Sequence, residues 1–112
     1  MAKYVTTVKG DFRRFNSYLE REILSGSMSA SLEEKYETSL NGVRCCVQVY
    51  ERYSYMGGNR LSLNVTTLEH DGTIHLIAIT AGGSQAMFFK INTFGEEAFL
   101  DKLKEAVEQF RP

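Results

Sequence analysis

Glu51 is the residue whose setting could support chemistry, because it is a carboxylate that interrupts an alternating run of apolar residues. It lies between Val49 and Tyr53. Successive side chains of a strand point to opposite faces, so the alternation predicts that Glu51 shares a face with these two neighbours. A buried, unpaired carboxylate is costly, so we expect Glu51 to be paired, protonated or facing a wet cavity.

Four further residues on the predicted strands could share such a cavity with Glu51. They are Tyr36, Tyr53, Tyr55 and Glu34. Together they would supply the few polar groups that orient a small apolar ligand in a pocket between the sheet and the C-terminal helix. A purely structural alternative stays open, in which Glu51 reaches the rim or a bulge near Glu33 turns it outward.

Other groups in the sequence suggest no catalysis. Cys45 and Cys46 are adjacent, which favours free thiols over a strained local disulfide. His70 and His75 have no partners at metal-ligand spacing, and no serine has the setting of a hydrolase nucleophile. We therefore expect no metal, no cofactor and no enzymatic activity; if catalysis exists, Glu51 is the residue to test.

Composition limits the classes of partner. The chain has 112 residues, which suits one domain, and its 13 basic and 14 acidic residues leave a net charge of −1. Such a balance argues against a nucleic-acid binder. No apolar run approaches the roughly 20 residues that span a bilayer, and the start lacks a signal-peptide apolar region. We expect no membrane partner and a cytoplasmic location.

Two helices flank a series of strands. A first strand is predicted over Lys3–Lys9, followed by a helix over Asp11–Ser25 with Asp11 as N-cap and Gly26 as its stop. The last helix is predicted from a capping box at Thr93 and Glu96. Its apolar stripe is Phe99, Leu103, Ala106, Val107 and Phe110.

Four turn sequences between the helices predict the registers of four hairpins. The turn sequences are Asn41-Gly42, Met56-Gly57-Gly58-Asn59, Asp71-Gly72 and Gly82-Gly83. The predicted pairs are Leu40 with Val43, Tyr36 with Val47, Leu32 with Glu51, Tyr55 with Leu61, Tyr53 with Leu63, Val65 with Ala78, and Ala78 with Met87. The second hairpin requires a bulged three-residue loop to keep this alternation.

These elements predict an α+β fold: a curved six-stranded antiparallel sheet of order 1-6-5-4-3-2, with both helices on one face. The face predicted to lie under the helices carries Leu32, Tyr36, Val43, Cys45, Val47, Val49, Tyr53, Tyr55, Leu61, Leu63, Val65, Leu76, Ala78, Met87, Phe89 and Ile91. The opposite face begins polar, with Ser31, Glu33, Lys35 and Arg44.

The predicted outer face carries an apolar patch toward its last two strands. Its members are Ile77, Ile79, Phe88 and Ala86, flanked by Leu68 and Tyr50. Such a cluster suggests a covered surface. The cover could be a loop or the first strand, a symmetric copy of the chain, or a different protein. We expect a homodimer, since a self-complementary apolar face is a common route to two-fold association.

Two segments carry a resemblance to a known family: Val49–Arg60 and Gly82–Glu97. On these segments the chain resembles a family of small bacterial proteins of unknown function, and the likeness extends over its full length. The family has no assigned activity, so the resemblance implies no site residues.

The predicted element order is similar to that of the TBP-like and helix-grip fold group, in which a curved sheet wraps a C-terminal helix. Resemblance to its lipid-binding members implies an apolar cavity beneath the helix. A predicted final helix of about 16 residues, roughly 24 Å long, leaves little room for one. The exposed face also lacks the basic residues and aromatic wedges that minor-groove binding would need.

Overall fold

A computed structural model describes residues 1–26, 29–54, 59–82 and 89–112 of the protein. Within these ranges the chain forms five strands and two helices. In chain order they are β1 (Ala2–Lys9), α1 (Phe12–Gly26), β2 (Ser31–Leu40), β3 (Val43–Ser54), β4 (Asn59–His70), β5 (Thr73–Gly82) and α2 (Phe89–Gln109). The predicted α+β class is confirmed.

Within the described residues the sheet is antiparallel and has five strands, in the order β1-β5-β4-β3-β2. The predicted sixth strand, Ala86–Ile91, is wrong from Phe89 onward, because α2 begins there. Ala78 pairs with Val65 on one side and with Tyr4 on the other. Its predicted partner, Met87, lies outside the described residues. A short apolar run is compatible with strand or helix, and β1 already occupies the edge next to β5.

Two hairpin turns form as their sequences predict. Asn41 and Gly42 have φ values of 52° and 81°, and Asp71 and Gly72 have φ values of 52° and 78°. Positive φ at both central positions is the requirement of a type I′ turn. The predicted pairs Leu40 with Val43, Tyr36 with Val47, and Val65 with Ala78 are confirmed.

The register between β3 and β4 differs from the prediction by an odd number of residues. Ser54 pairs with Asn59, which leaves four residues in the connection, and Tyr53 pairs with Arg60 instead of Leu63. The predicted pair of Tyr55 with Leu61 is also wrong, since Leu61 pairs with Arg52. A change of one residue in register moves every side chain of a strand to the other face.

The inner face of the sheet, defined as the one beneath the helices, therefore takes the even-numbered residues of β3. Cys46, Gln48 and Tyr50 are buried there, whereas Val47, Val49 and Tyr53 point away. A bulge between Leu32 and Glu34 adjusts β2 in the same way. It places Leu32 opposite Tyr50, not opposite Glu51 as predicted.

Both helices pack on the inner face. The Asp11 carboxylate accepts a hydrogen bond from the Arg14 amide at 2.8 Å, which confirms Asp11 as the N-cap of α1. The core combines Phe12, Phe15, Leu19 and Ile23 of α1 with the predicted α2 stripe and the sheet residues Leu61, Leu63, Val65, Ile74, Leu76 and Ala78.

The two helices also contact each other. The Tyr18 hydroxyl of α1 donates a hydrogen bond to the Ala106 carbonyl of α2 at 2.8 Å, and the rings of Phe15 and Phe110 meet edge to face at 4.9 Å. Helix α2 is longer than predicted, since it begins at Phe89 and places the predicted capping residues Thr93 and Glu96 inside the helix. The described helices leave the other face of the sheet free.

Candidate functional site

The outer face, defined as the side of the sheet opposite the helices, is the candidate site. Cross-strand registers arrange its side chains in rows that run from β1 to β2. The central row is Val5, Ile77, Thr66, Val47 and Tyr36; the Lys-Glu row beside it is Lys3, Ile79, Asn64, Val49 and Glu34. Toward the β2–β3 turn follows a row of Thr7, His75, Leu68, Cys45 and Thr38.

Apolar side chains on this face remain in contact with solvent. Val5 is 56% exposed, Tyr36 66% and Ile79 37%, while Val47, Val49, Ile77 and Leu68 are half-buried. Together these side chains form an apolar patch that crosses all five strands of the described sheet. The exposed apolar surface therefore extends beyond the predicted patch, to β1, β2 and β3.

Three of the six residues of the predicted patch lie on the outer face: Ile77, Ile79 and Leu68. Tyr50 does not, because it is completely buried on the inner face. Its hydroxyl donates a hydrogen bond to Gln48 Oε1 at 2.6 Å, and burial raises the pKa of this phenol. Ala86 and Phe88 lie outside the described residues.

The predicted ligand residues lie on this same outer face. Glu51, Tyr53, Tyr36 and Glu34 all point away from the helices. The predicted location between the sheet and the C-terminal helix is therefore wrong, because the register of β3 reverses its two faces. Tyr55 lies outside the described residues. Two predicted sites thus become parts of one surface.

Glu51 is paired with a neighbouring cation. Its Oε1 lies 3.5 Å from an Arg60 guanidinium nitrogen, and that guanidinium stacks 5.3 Å from the centre of the Tyr53 ring. These groups line a depression of about 80 Å³ with Ser29, Ser31 and Arg52. This volume corresponds to roughly three water molecules of about 30 Å³ each, well below the approximately 300 Å³ of a small-molecule site.

A second, open depression of about 370 Å³ lies near the β2–β3 turn. Phe12 and Arg44 form one wall, with the guanidinium 4.8 Å from the ring centre. Its remaining lining is exposed or half-buried strand surface from Glu37, Thr38, Ser39 and Cys45. No buried polar side chain of the described residues lines it, so it lacks the convergent groups that orient a ligand.

Buried polar groups on the inner face serve packing. Thr67 donates a hydrogen bond to Asn16 Oδ1 at 2.8 Å, and the Asn16 amide donates to the Phe12 carbonyl at 3.0 Å. Burial also raises the pKa of the Cys46 thiol, which lowers its reactivity. Across the described ranges, no cluster of His, Cys, Asp and Glu side chains could hold a metal ion.

Sequence reasoning missed the central contribution of β3 to the outer face. Val47 and Val49 were expected under the helices, as were Tyr36 and Tyr53. Alternation correctly predicts that these residues share one face of the sheet, but it does not indicate which face that is. The length of the connection between β3 and β4 decides which side that is, and four residues in place of three reverse the outcome.

The fold places this chain among small α+β proteins with an open antiparallel sheet, of which the described helices cover one side. The chain belongs to a family of unknown function (DUF6054), whose model matches residues 1–111. This finding confirms the resemblance to an uncharacterised family.

Comparison with solved structures shows the same fold. The chain is similar to PA94 from Pseudomonas aeruginosa, a protein of unknown function whose proposed role is that of a regulator. The match has a TM-score of 0.54 at 11% identity and covers 100% of this chain and 85% of that chain. No curated protein matches the sequence. In the part of the chain that the structure describes, no helix is long and apolar enough to cross a membrane.

Proposed function

We propose that this protein is a non-enzymatic, cytoplasmic interaction module that self-associates through the outer face of its sheet. The observation that carries this proposal is the apolar central row, which extends from Val5 on β1 to Tyr36 on β2 without a described element above it. Removing such a surface from water is the main favourable contribution to association.

Intramolecular cover by the first strand is excluded, because β1 pairs with β5 within the sheet from Ala2 to Lys9. Both helices pack on the inner face, as the burial of Phe15 and Leu103 indicates. None of the described strands and helices lies over the outer face, and we infer that a second protein chain covers it. A copy of the same chain is the simplest occupant, since every copy exposes the same apolar face.

The size of the outer face suits a stable dimer. The five strands contain 8 to 12 residues each. At about 4.8 Å between strands and roughly 3.3 Å per residue, the face measures about 24 Å by 33 Å, or about 800 Å². A standard protein–protein interface buries about 800 Å² on each partner.

Sedimentation equilibrium tests the proposal. We expect the wild-type protein to reach twice the 12.7 kDa mass of the chain as its concentration rises. Ile77→Lys and Val47→Lys each place a charge in the central row, so both variants should remain monomeric. Ser17→Lys, on the exposed side of α1, is the matched control and should dimerise like the wild type.

Circular dichroism identifies any variant that fails to fold, and the second lysine variant then supplies the result. A wild-type protein that stays monomeric up to its solubility limit would overturn self-association. Dimers that persist in both folded lysine variants would show that the chain associates through another surface. Either result would leave a different protein as the candidate partner of the outer face.

A further inference from the structure

We propose that the two copies pack face to face with their two-fold axis along β4, so that β1 of each copy lies over β2 of the other. This inference rests on the proposed self-association and specifies how the second copy sits. β4 is the middle strand of the five. A two-fold rotation about an axis along β4 places β1 over β2 of the partner subunit and β5 over β3 of the partner subunit. Each outer-face residue of β4 then lies over the same residue of the partner subunit.

The central row and the Lys-Glu row of the outer face are self-complementary under this rotation. In the central row, Ile77 meets Val47 of the partner subunit, while Val5 meets Tyr36 of the partner subunit. In the Lys-Glu row, Ile79 meets Val49 of the partner subunit. Apolar side chains therefore face apolar side chains on both sides of the axis.

Charge complementarity follows the same rotation. Lys3 lies on the β1 edge and Glu34 on the β2 edge of one row, and both are exposed. Four strand spacings, about 19 Å, separate them within one chain, too far for a direct contact. In the proposed dimer each Lys3 lies over Glu34 of the partner subunit, which gives two symmetric ion pairs at the rim.

Two polar residues of β4, Asn64 and Thr66, would be paired as well. Asn64 and Thr66 occupy the axis, and within one chain the Thr66 hydroxyl donates to Asn64 Oδ1 at 3.3 Å. An amide buried in an interface needs hydrogen-bond partners. Placed on its own counterpart, Asn64 can donate its amide hydrogen to the partner's Asn64 oxygen and accept one in return.

A two-fold axis perpendicular to the strands, through the central row, is the other aligned arrangement. It would place Lys3 over Thr7 of the partner subunit and Asn64 over Leu68 of the partner subunit. The charges would have no counterparts, and an amide would face an apolar side chain. For Lys3 and Asn64 the axis along β4 avoids both costs, and its nearly parallel strands match the aligned packing of about −30° seen in β-sandwiches.

Charge reversal tests the axis by sedimentation equilibrium at low salt. Lys3→Glu and Glu34→Lys should each weaken dimerisation on the order of tenfold, because each change makes two symmetric pairs repulsive. The double variant should restore the dissociation constant to within about threefold of wild type. Lys9→Glu with Glu34→Lys is the matched control and should show no restoration, because Lys9 lies over Leu40 of the partner subunit.

Cross-linking gives a second, independent readout. In a Cys45→Ser background, Thr66→Cys should form a covalent dimer with a short bis-maleimide, since two copies of this position face each other across roughly 10 Å. Val5→Cys should not, because β1 strands lie at opposite edges of the dimer. The perpendicular axis predicts efficient cross-linking of Val5→Cys.

The outcomes separate this inference from the proposed function. If wild type dimerises and the central-row lysine variants do not, but charge reversal shows no rescue and Val5→Cys cross-links, the axis along β4 is wrong and self-association stands. A monomeric wild type removes both proposals together.

Discussion

The two faces of this sheet are built from the same strands and contain similar proportions of apolar residues, yet they have different environments. On β5, Ile74, Leu76 and Ala78 are completely buried beneath the helices. Ile79, on the same strand, is 37% exposed on the outer face. Apolar alternation in a strand therefore does not by itself identify the core. The inner face forms the core beneath the helices, whereas the described helices leave the outer face open.

The largest expected difference concerns two isoleucines of β5. Ile74→Ala should lower the free energy of unfolding by about 2–5 kcal/mol, because it leaves a cavity under the helices. Ile79→Ala should lower that of the monomer by less than about 1 kcal/mol. Urea unfolding at a concentration that keeps the protein monomeric measures both. Equal losses would contradict the assignment of the two faces.

Tyr50 and Tyr36 should differ in their effect on pH dependence. Burial raises the pKa of Tyr50 above the ordinary value of 10.0, so the folded state retains this proton when the unfolded state loses it. The contribution of the protonated Tyr50 phenol to the free energy of unfolding is complete below pH 10. Above pH 10 this contribution falls by up to about 1.4 kcal/mol per pH unit.

Tyr50→Phe should therefore reduce the decline of stability above pH 10. At neutral pH it should cost about 1–3 kcal/mol, since Gln48 loses the hydroxyl that donates to it. Tyr36→Phe, measured at a concentration that keeps the protein monomeric, is the exposed control and should follow the wild-type profile. Thermal unfolding followed from pH 7 to pH 11 checks both variants; identical profiles for Tyr50→Phe and wild type would show that this phenol is not buried.

Substitution of two adjacent threonines of β4 should change the free energy of unfolding to different extents. Thr67→Val should cost about 1–3 kcal/mol, because Asn16 Oδ1 is left buried without its donor. Thr66→Val, one residue away on the outer face, should change monomer stability by no more than about 0.5 kcal/mol. Denaturant titration of the two variants tests which side chains of β4 face the helices. A larger effect at Thr66 than at Thr67 would reverse this assignment.

The smallest effect should come from Glu51, the residue that first suggested chemistry. Glu51→Gln removes a partly exposed ion pair with Arg60, so the free energy of unfolding should change by less than about 1 kcal/mol. Arg60→Gln should give a similar value, and the double variant should show little additional loss. A change of several kcal/mol at Glu51 would instead indicate a buried carboxylate.

Much of the fold was predictable because its signals are local. Asn41-Gly42 and Asp71-Gly72 adopt the backbone that only a few residues tolerate, and Asp11 caps its helix through its own side chain. The stripe from Phe99 to Phe110 is buried as its period predicts. Of the site, Ile77, Ile79 and Leu68 were placed on the correct face, while Val47, Val49 and Tyr36 were placed on the opposite one.

The sequence by itself determined which residues of each strand share a side, because alternation is a property of the extended backbone. Only the tertiary structure decided which side of β3 the helices cover, since this depends on an odd or even number of residues in the connection from Ser54 to Asn59. It also decided that the chain from Phe89 onward joins α2, because β1 occupies the edge of β5 that a sixth strand would need.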